Sequence, residues 1–400
     1  VGVAIALTHV GVNNYLIVDR DSVGSSFADW PEETRFITPS FPSNSIGMLD
    51  LNSIAIGVSP AYTMRVEHPT GNDFAEHLRS LSDYFELPVL ENTNITGIEK
   101  KGDIFSVKTE SIDLTCKNVI WAAGEYKYPS TGNFQGSEHC AHTSTVDRYG
   151  DLEGDDFLII GGYESGIDAA YHLARSSKKV KVFDIECPWG DHSSDPSIAL
   201  STYSFERMRD ENFGKNVELF AETGIRSVSY TNETYEVVTL DDEIHTTKTK
   251  PLLATGFEGS HRSYPSLFDL RKDGFPLVND NDESTVMPGV FLCGPSLRHD
   301  NHIFCFIFKY RQRFGVVAKT IAESLGFNML EGKDLVRLPE YQLGLQESGS
   351  GTGIFSVRFS KKSQQDISRE IWNRLLSSMP YLLKTKQFFV FSVGLFFFSF

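Results

Sequence analysis

The sequence predicts an α/β protein of two doubly wound parallel-sheet units, the second inserted in the first. Three observations predict it. Short apolar strands alternate with amphipathic helices through residues 1–326. A glycine-rich turn, GGYESG at 161–166, stands between an apolar strand and a helix. Two stretches close on similar phrases, IWAAGE at 120–125 and LLATGF at 252–257, each an apolar strand followed by two small residues and a glycine. That likeness is the mark of an internal duplication.

Composition narrows the class. The 400 residues, 40% hydrophobic and 22% charged, leave room for two domains and exclude a disordered chain. A net charge of -16 argues against nucleic acid, which needs clustered Lys and Arg. An acidic surface suits a soluble, cytoplasmic enzyme of a small-molecule substrate, and no signal peptide is read at the N-terminus. Cys116, Cys140, Cys187, Cys293 and Cys305 are scattered, odd in number and never in a C-x-x-C pair. That is the pattern of buried thiols in a reducing compartment, not of a metal cluster or a self-contained redox disulfide. His299 and His302 have no third ligand at compatible spacing, so no metal site is expected.

Along the chain, VGVAIALTHVGVNNYLIVD reads as a helix with Val3, Ala6, Leu7 and Val10 on one face, then a strand over 15–18 that ends at Asp19. A helix near 72–84, strands near 93–99 and 104–109, and the apolar strand 118–122 complete the first unit. The second starts near Asp155 with a strand, the glycine turn, a helix whose inner face is Ile167, Ala170 and Ala174, and the strand KVKVFD ending at Asp184. GVFLCGPS at 289–296 then supplies a strand and turn before a long helix. The expected domains are therefore 1–150 with 254–330, an inserted 151–253, and a C-terminal extension 331–400. Within the extension, 345–353 reads as flexible, and the apolar run 388–400 is shorter than the roughly 20 residues that span a bilayer, so membrane attachment is not expected.

The glycine turn carries the chemistry. A chain that reverses after a strand, approaches a pyrophosphate and packs a helix on the sheet needs small residues at those points. Gly161 and Gly162 serve the turn and Gly166 the helix packing, while Glu164 and Ser165 lie in the first helical turn, where free N–H groups would meet phosphate. Tyr163 stands where the middle glycine of G-x-G-x-x-G belongs, so Gly162 must make the close approach and the Tyr163 ring must swing outward. Asp184, at the next strand end, is placed to accept ribose hydroxyls. No Arg follows it before Arg207, which points to NADH over NADPH. Asp19 ends its strand as Asp184 does, and the helix before it has Gly2 near its start. A strand and glycine loop preceding that helix would lie upstream of Val1. The first unit is therefore expected to show unpaired strand edges and to hold its cofactor less well than the second.

Over residues 1–326 these motifs resemble the two-dinucleotide-domain flavoproteins of the pyridine nucleotide-disulfide oxidoreductase superfamily, and within it the flavin-containing monooxygenase-like branch. The resemblance is carried by Asp19 followed by VGSSFADWP with its Ser26, by Ala122-Ala123-Gly124 and Ala254-Thr255-Gly256, by GGYESG, and by Gly294-Pro295-Ser296 before the last helix. It implies Rossmann-like domains with FAD in the first unit and NAD(P)H in the second. It also implies hydride transfer between them and oxygenation of a small soft nucleophile, an amine or sulfide, through a flavin hydroperoxide. No side-chain nucleophile is required, and no catalytic residue is assigned. FQGSEHCAH departs from the branch motif F-x-G-x-x-x-H by placing Cys140 at the His position, and Pro295 and Ser296 stand where related reductases carry an Asp. Two alternatives therefore stand. One is an NAD(P)H-dependent reductase of a low-molecular-weight disulfide or quinone, with Cys140, Cys293 or Cys305 as its thiol. The other is a degenerate, non-catalytic nucleotide-binding protein.

Overall fold

A computed structural model describes residues 1–43 and 48–327. Helix α1 (Gly2–His9) ends where Gly11 takes a φ of +84° and Val12 N–H reaches back to the Leu7 carbonyl at 3.0 Å, a turn that satisfies the last carbonyls. Strand β1 (Ile17–Val18), the short helices α2 (Ser25–Ala28) and α3 (Pro60–Met64), and α4 (Gly71–Tyr84) follow. Thr70 and Asp73 cap α4 reciprocally, and its inner face is Phe74, Leu78 and Leu81. Strand β2 (Val89–Leu90) then pairs parallel with β1. Strands β3 (Ile95–Lys101), β4 (Ile104–Thr109) and β5 (Asp113–Cys116) form an antiparallel meander, and β6 (Val119–Trp121) closes the stretch.

The second unit opens with β7 (Ala141–His142), β8 (Asp156–Ile160), α5 (Glu164–Arg175) and β9 (Lys179–Phe183). Helices α6 (Thr202–Met208) and α7 (Glu211–Asn216) lead to β10 (Val217–Phe220). A second antiparallel meander, β11 (Ile225–Thr231), β12 (Thr234–Thr239) and β13 (Ile244–Thr247), precedes β14 (Leu252–Leu253). The five parallel strands lie in the order β10-β9-β8-β14-β7. Phe157, Leu158, Ile159 and Ile160 of β8 are all buried, because this central strand is covered on both faces. The edge strand β7 comes from within the 1–150 stretch, so by strand pairing the inserted sheet draws in residues before 151. Two residues carry no periodicity, so β7 left no signal in the sequence.

The chain then returns through β15 (Val290–Leu292), the hairpin β16 (Arg298–His299) with β17 (His302–Ile303), and α8 (Ile307–Ser324). β15 pairs parallel with β6 and on its other side meets Glu283 antiparallel. Among the described strands, β1 and β6 each keep an unpaired edge, so the parallel strands of the first unit stand as two separate pairs. α1 is enclosed more fully than a one-face pattern predicts. Ala4 and Ile5 are buried while Val3 is only half-buried, because α1 shares one apolar cluster with Phe74, Leu78 and Leu81 of α4 and with Val317, Ala318 and Ile321 of α8.

The duplication read from the two closing phrases extends to architecture. A three-stranded meander leads to β6 and another to β14. Each closing strand is followed by a left-handed glycine, Gly124 at φ +67° and Gly256 at φ +74°.

Candidate functional site

At the end of β8 the backbone turns through Gly161, whose φ is +104° and whose N–H donates to the Phe183 carbonyl at 2.8 Å. A Cβ on Gly161 would stand 2.3 Å from the Ala254 carbonyl oxygen, and one on Gly166 would stand 2.0 Å from the Gly161 carbonyl oxygen. Both glycines are thus required by the seating of α5 against the turn after β14. Gly162 has a different neighbour: a Cβ there would meet the Trp189 ring at 2.1 Å. The Tyr163 ring is half-buried and packs against the apolar cluster that holds Ile159, Ile167 and Leu200. Its hydroxyl donates to the carbonyls of Pro196 and, at 3.2 Å, Ala199. No side chain caps α5, and among the described residues the amides of Tyr163, Glu164 and Ser165 have no carbonyl partner. Ser165 is exposed. The first turn of α5 therefore offers free N–H groups at the positive end of the helix, which suits a phosphate.

The acidic residues around this turn are already engaged. Asp184 accepts the Gly162 amide on Oδ2 at 2.6 Å, and the Glu186 and Cys187 amides on Oδ1 at 2.8 and 2.9 Å. Glu164 accepts the Ser201 amide at 2.5 Å, the Ser201 hydroxyl at 3.1 Å and the Ser204 hydroxyl at 2.5 Å. Burial pushes the Glu164 carboxyl up and these donors hold it down, with burial prevailing. Glu164 thus fastens the start of α6 to the start of α5. The sequence carried no signal of that pairing, nor of Trp189, because both partners lie far along the chain.

In the first unit, Gly2 sits in the opening turn of α1, where a Cβ would be 2.3 Å from the Phe314 ring of α8. Asp19 is half-buried after β1. Its Oδ1 accepts the Asp21 amide at 2.9 Å, and burial raises its carboxyl, helped by the charges of Asp21 and Glu91. Ser26 is half-buried in α2. Ala123 is exposed beside Gly124, whose carbonyl accepts the Ser260 amide at 3.1 Å. A Cβ on the neighbouring Gly259 would stand 2.7 Å from the buried Ser296 hydroxyl, so the Ala123-Gly124 and Gly294-Pro295-Ser296 turns converge around 259–260. The Pro295 carbonyl accepts Arg298 Nη1 at 2.6 Å. Ala254-Thr255-Gly256 lies instead beside Gly161, with the Thr255 hydroxyl donating to the Ser130 carbonyl at 2.6 Å. Gly124, Gly256 and Gly294 all have positive φ, and no atom lies within 4 Å of where their Cβ atoms would be. These strand ends leave open space against bare backbone, which suits a cofactor laid along them.

Burial acts against thiolate formation at four of the five cysteines. Burial pushes the Cys140 thiol up to about 11 and raises those of Cys293 and Cys116. Cys305 Sγ lies 3.1 Å from Ser197 Oγ, which accepts Lys309 Nζ at 2.7 Å, and Lys309 also binds Asp195 at 2.6 Å. Burial raises the Cys305 thiol despite those neighbours. His299 pairs with the fully buried Asp282 at 2.5 Å, and His302 is exposed. Among the described residues there is no group of three or more His, Cys, Asp or Glu side chains disposed to hold a metal, and no helix long and apolar enough to cross a membrane. The stretches 345–353 and 388–400 lie outside the described residues.

The comparisons with known proteins bear on the fold and the family. The fold is similar to that of bacillithiol disulfide reductase Bdr from Staphylococcus aureus, with a TM-score of 0.67 and 18% identity over 81% of this chain and 94% of that one. It is also similar to a flavin-containing monooxygenase from Stenotrophomonas maltophilia, with a TM-score of 0.57 and 13% identity over 78% of this chain and 98% of that one. In sequence, an uncharacterized CzcO-like oxidoreductase of Geobacillus kaustophilus is 27% identical over 130 residues, 30% of this chain and 37% of the relative. The chain thus spans well under half the length of that curated relative. The family model described as pyridine nucleotide-disulphide oxidoreductase matches residues 1–294.

Proposed function

The chain belongs to the pyridine nucleotide-disulphide oxidoreductase family, whose cofactors are FAD and NAD(P)H, and on that premise we propose that it is a monooxygenase-like enzyme oxygenating a small soft nucleophile such as an amine or sulfide. The observation that carries this reading is the state of the thiols. Disulfide reduction through a protein sulfur needs an accessible thiol of lowered pKa, whereas four of the five cysteines, Cys116, Cys140, Cys293 and Cys305, are pushed the other way by burial, and none of the five stands in a C-x-x-C pair. Oxygenation asks for no protein nucleophile, because FAD, when bound, would supply the redox and oxygen chemistry.

The residues of this chain then bind and orient. The free amides at the start of α5, with Ser165 beside them, hold the NAD(P)H pyrophosphate. Asp184 faces the ribose, and with no Lys or Arg between 185 and 206 it favours NADH over NADPH. Asp19 serves the FAD ribose, with Gly2 and Ser26 nearby in sequence. Gly124 and Gly294 let the backbone lie close to FAD. By this reading residues 1–150 with 254–330 hold FAD, and 151–253, with β7 added as its edge strand, holds NAD(P)H.

A second reading, reduction of a low-molecular-weight disulfide, is favoured by one observation: the chain of hydrogen bonds from Lys309 through Ser197 to Cys305. Oxygen uptake on addition of NADH, measured for the wild type and for Cys305→Ser, separates the two. The monooxygenase-like reading expects flavin absorbance and oxygen uptake in both proteins. Disulfide turnover by the wild type that vanishes in Cys305→Ser replaces it with the reductase, and a colourless, inactive protein supports the non-catalytic alternative.

A further inference from the structure

The segment joining β9 to α6 runs across the start of α5, and its contacts fall on the glycine turn itself. Asp184 staples the two together, with one oxygen on the Gly162 amide and the other on the amides of Glu186 and Cys187. Cys187 takes a left-handed φ of +52°, and the tight turn Pro188–Gly190 that follows lays the Trp189 indole on Gly162. The nearest ring atoms, Cζ3 and Cε3, would be 2.1 and 3.0 Å from a Cβ on Gly162. Farther along, the Tyr163 hydroxyl holds the carbonyls of Pro196 and Ala199.

Gly161 and Gly166 are small because α5 seats on the turn after β14, but the open face of Gly162 is filled by the indole. That is the face through which bare backbone would approach a pyrophosphate. Resting on the reading of this turn as the NAD(P)H site, we propose that Trp189 plugs the glycine turn and that the dinucleotide must displace it, so that this residue sets the affinity of the site. Asp184 couples the two events. A ribose hydroxyl that takes its carboxylate competes with the amides of Glu186 and Cys187, which hold the plug in place. A stacking platform for the nucleobase is the opposite arrangement, with the ring face left free. Here the ring edge is pressed against backbone.

The test is calorimetric titration of NADH into the wild type, Trp189→Ala and Trp189→Phe, with tryptophan emission of the wild type followed as NAD⁺ is added. The plug predicts that Trp189→Ala binds NADH roughly tenfold more tightly, the factor expected when a site is open about a tenth of the time. It predicts a red-shifted emission in the wild type on saturation, lost in Trp189→Phe. It also predicts that Gly162→Ala is tolerated only beside Trp189→Ala. Weaker or unchanged NADH binding by Trp189→Ala overturns the plug and leaves the cofactor site standing. Should Trp189→Ala not fold, an emission that stays constant at saturating NAD⁺ overturns it equally. Absence of binding to both the wild type and Trp189→Ala removes the cofactor reading and the plug together.

Discussion

The Asp184 carboxylate stands 2.6 Å from the Gly162 amide, so the acidic residue that ends β9 is hydrogen bonded to the glycine turn that ends β8. Two adjacent parallel strands are thereby joined at the ends where a dinucleotide would lie. Removing the acceptor leaves three amides without a partner, at about 1 kcal/mol each. Asp184→Ala is expected to lower stability by roughly 2–3 kcal/mol in urea unfolding, and Asp184→Asn, which keeps one oxygen, by less.

The same carboxylate opposes a 2′-phosphate, and the next cation along the chain, Arg207, is paired with Asp168. The ratio of kcat/KM for NADH over NADPH is expected to exceed one and to fall in Asp184→Ser. A preference for NADPH in the wild type refutes this.

Asp168 and Arg207 are buried partners, and Thr34 Oγ1 donates to the same carboxylate at 2.7 Å. Breaking such a pair from one side leaves an uncompensated charge, at a cost of about 3–5 kcal/mol. Arg207→Met should therefore lower the unfolding free energy by about that much, and Asp168→Asn with Arg207→Met together should recover a large part of it.

Glycine positions divide by what surrounds them. Gly166→Ala puts a methyl 2.0 Å from the Gly161 carbonyl and is expected to cost about 2 kcal/mol or more. Gly214, inside α7 with nothing within 4 Å of a Cβ, should gain about 0.5–1 kcal/mol as Ala. Thermal unfolding of the two single variants, shifting in opposite directions, is the check.

His77 is 4% exposed on α4. Its Nδ1 lies 2.9 Å from the Thr63 hydroxyl, its Nε2 has no partner among the described residues, and burial holds its pKa down to about 4. The unfolded chain takes a proton at about 6.5 that the folded chain refuses. Stability should therefore fall as pH drops from about 6.5 to about 4, by up to about 3 kcal/mol, and this part of the loss should level off below that window. Urea unfolding at pH 7.5 and 5 should show a shallower pH dependence in His77→Gln than in the wild type.

Local pattern carried much of the architecture. The run Phe157-Leu158-Ile159-Ile160, short, closed by two glycines and followed by apolar positions at helical spacing, read as a buried strand turning into a helix, and it is one. The like phrases at 120–125 and 252–257 announced two repeats, each now seen as a meander, a closing strand and a left-handed glycine. Strand β7 escaped notice because two residues cannot show alternation. The full enclosure of α1 escaped it because burial on a second side depends on α8, some three hundred residues away.

By itself the sequence determined the α/β class, the duplicated plan, the glycine turn and the acidic residue at each of two strand ends, since all of these follow from spacing and residue size within one or two elements. Only the tertiary structure decided what fills the space beside those residues: the indole of Trp189 on Gly162, the Ala254 carbonyl against Gly161, and the engagement of Asp184 and Glu164 with backbone amides. The physical reason is range. Periodicity and turn chemistry are written in neighbouring residues, whereas steric exclusion and hydrogen-bond competition are settled between segments that meet only when the chain has folded.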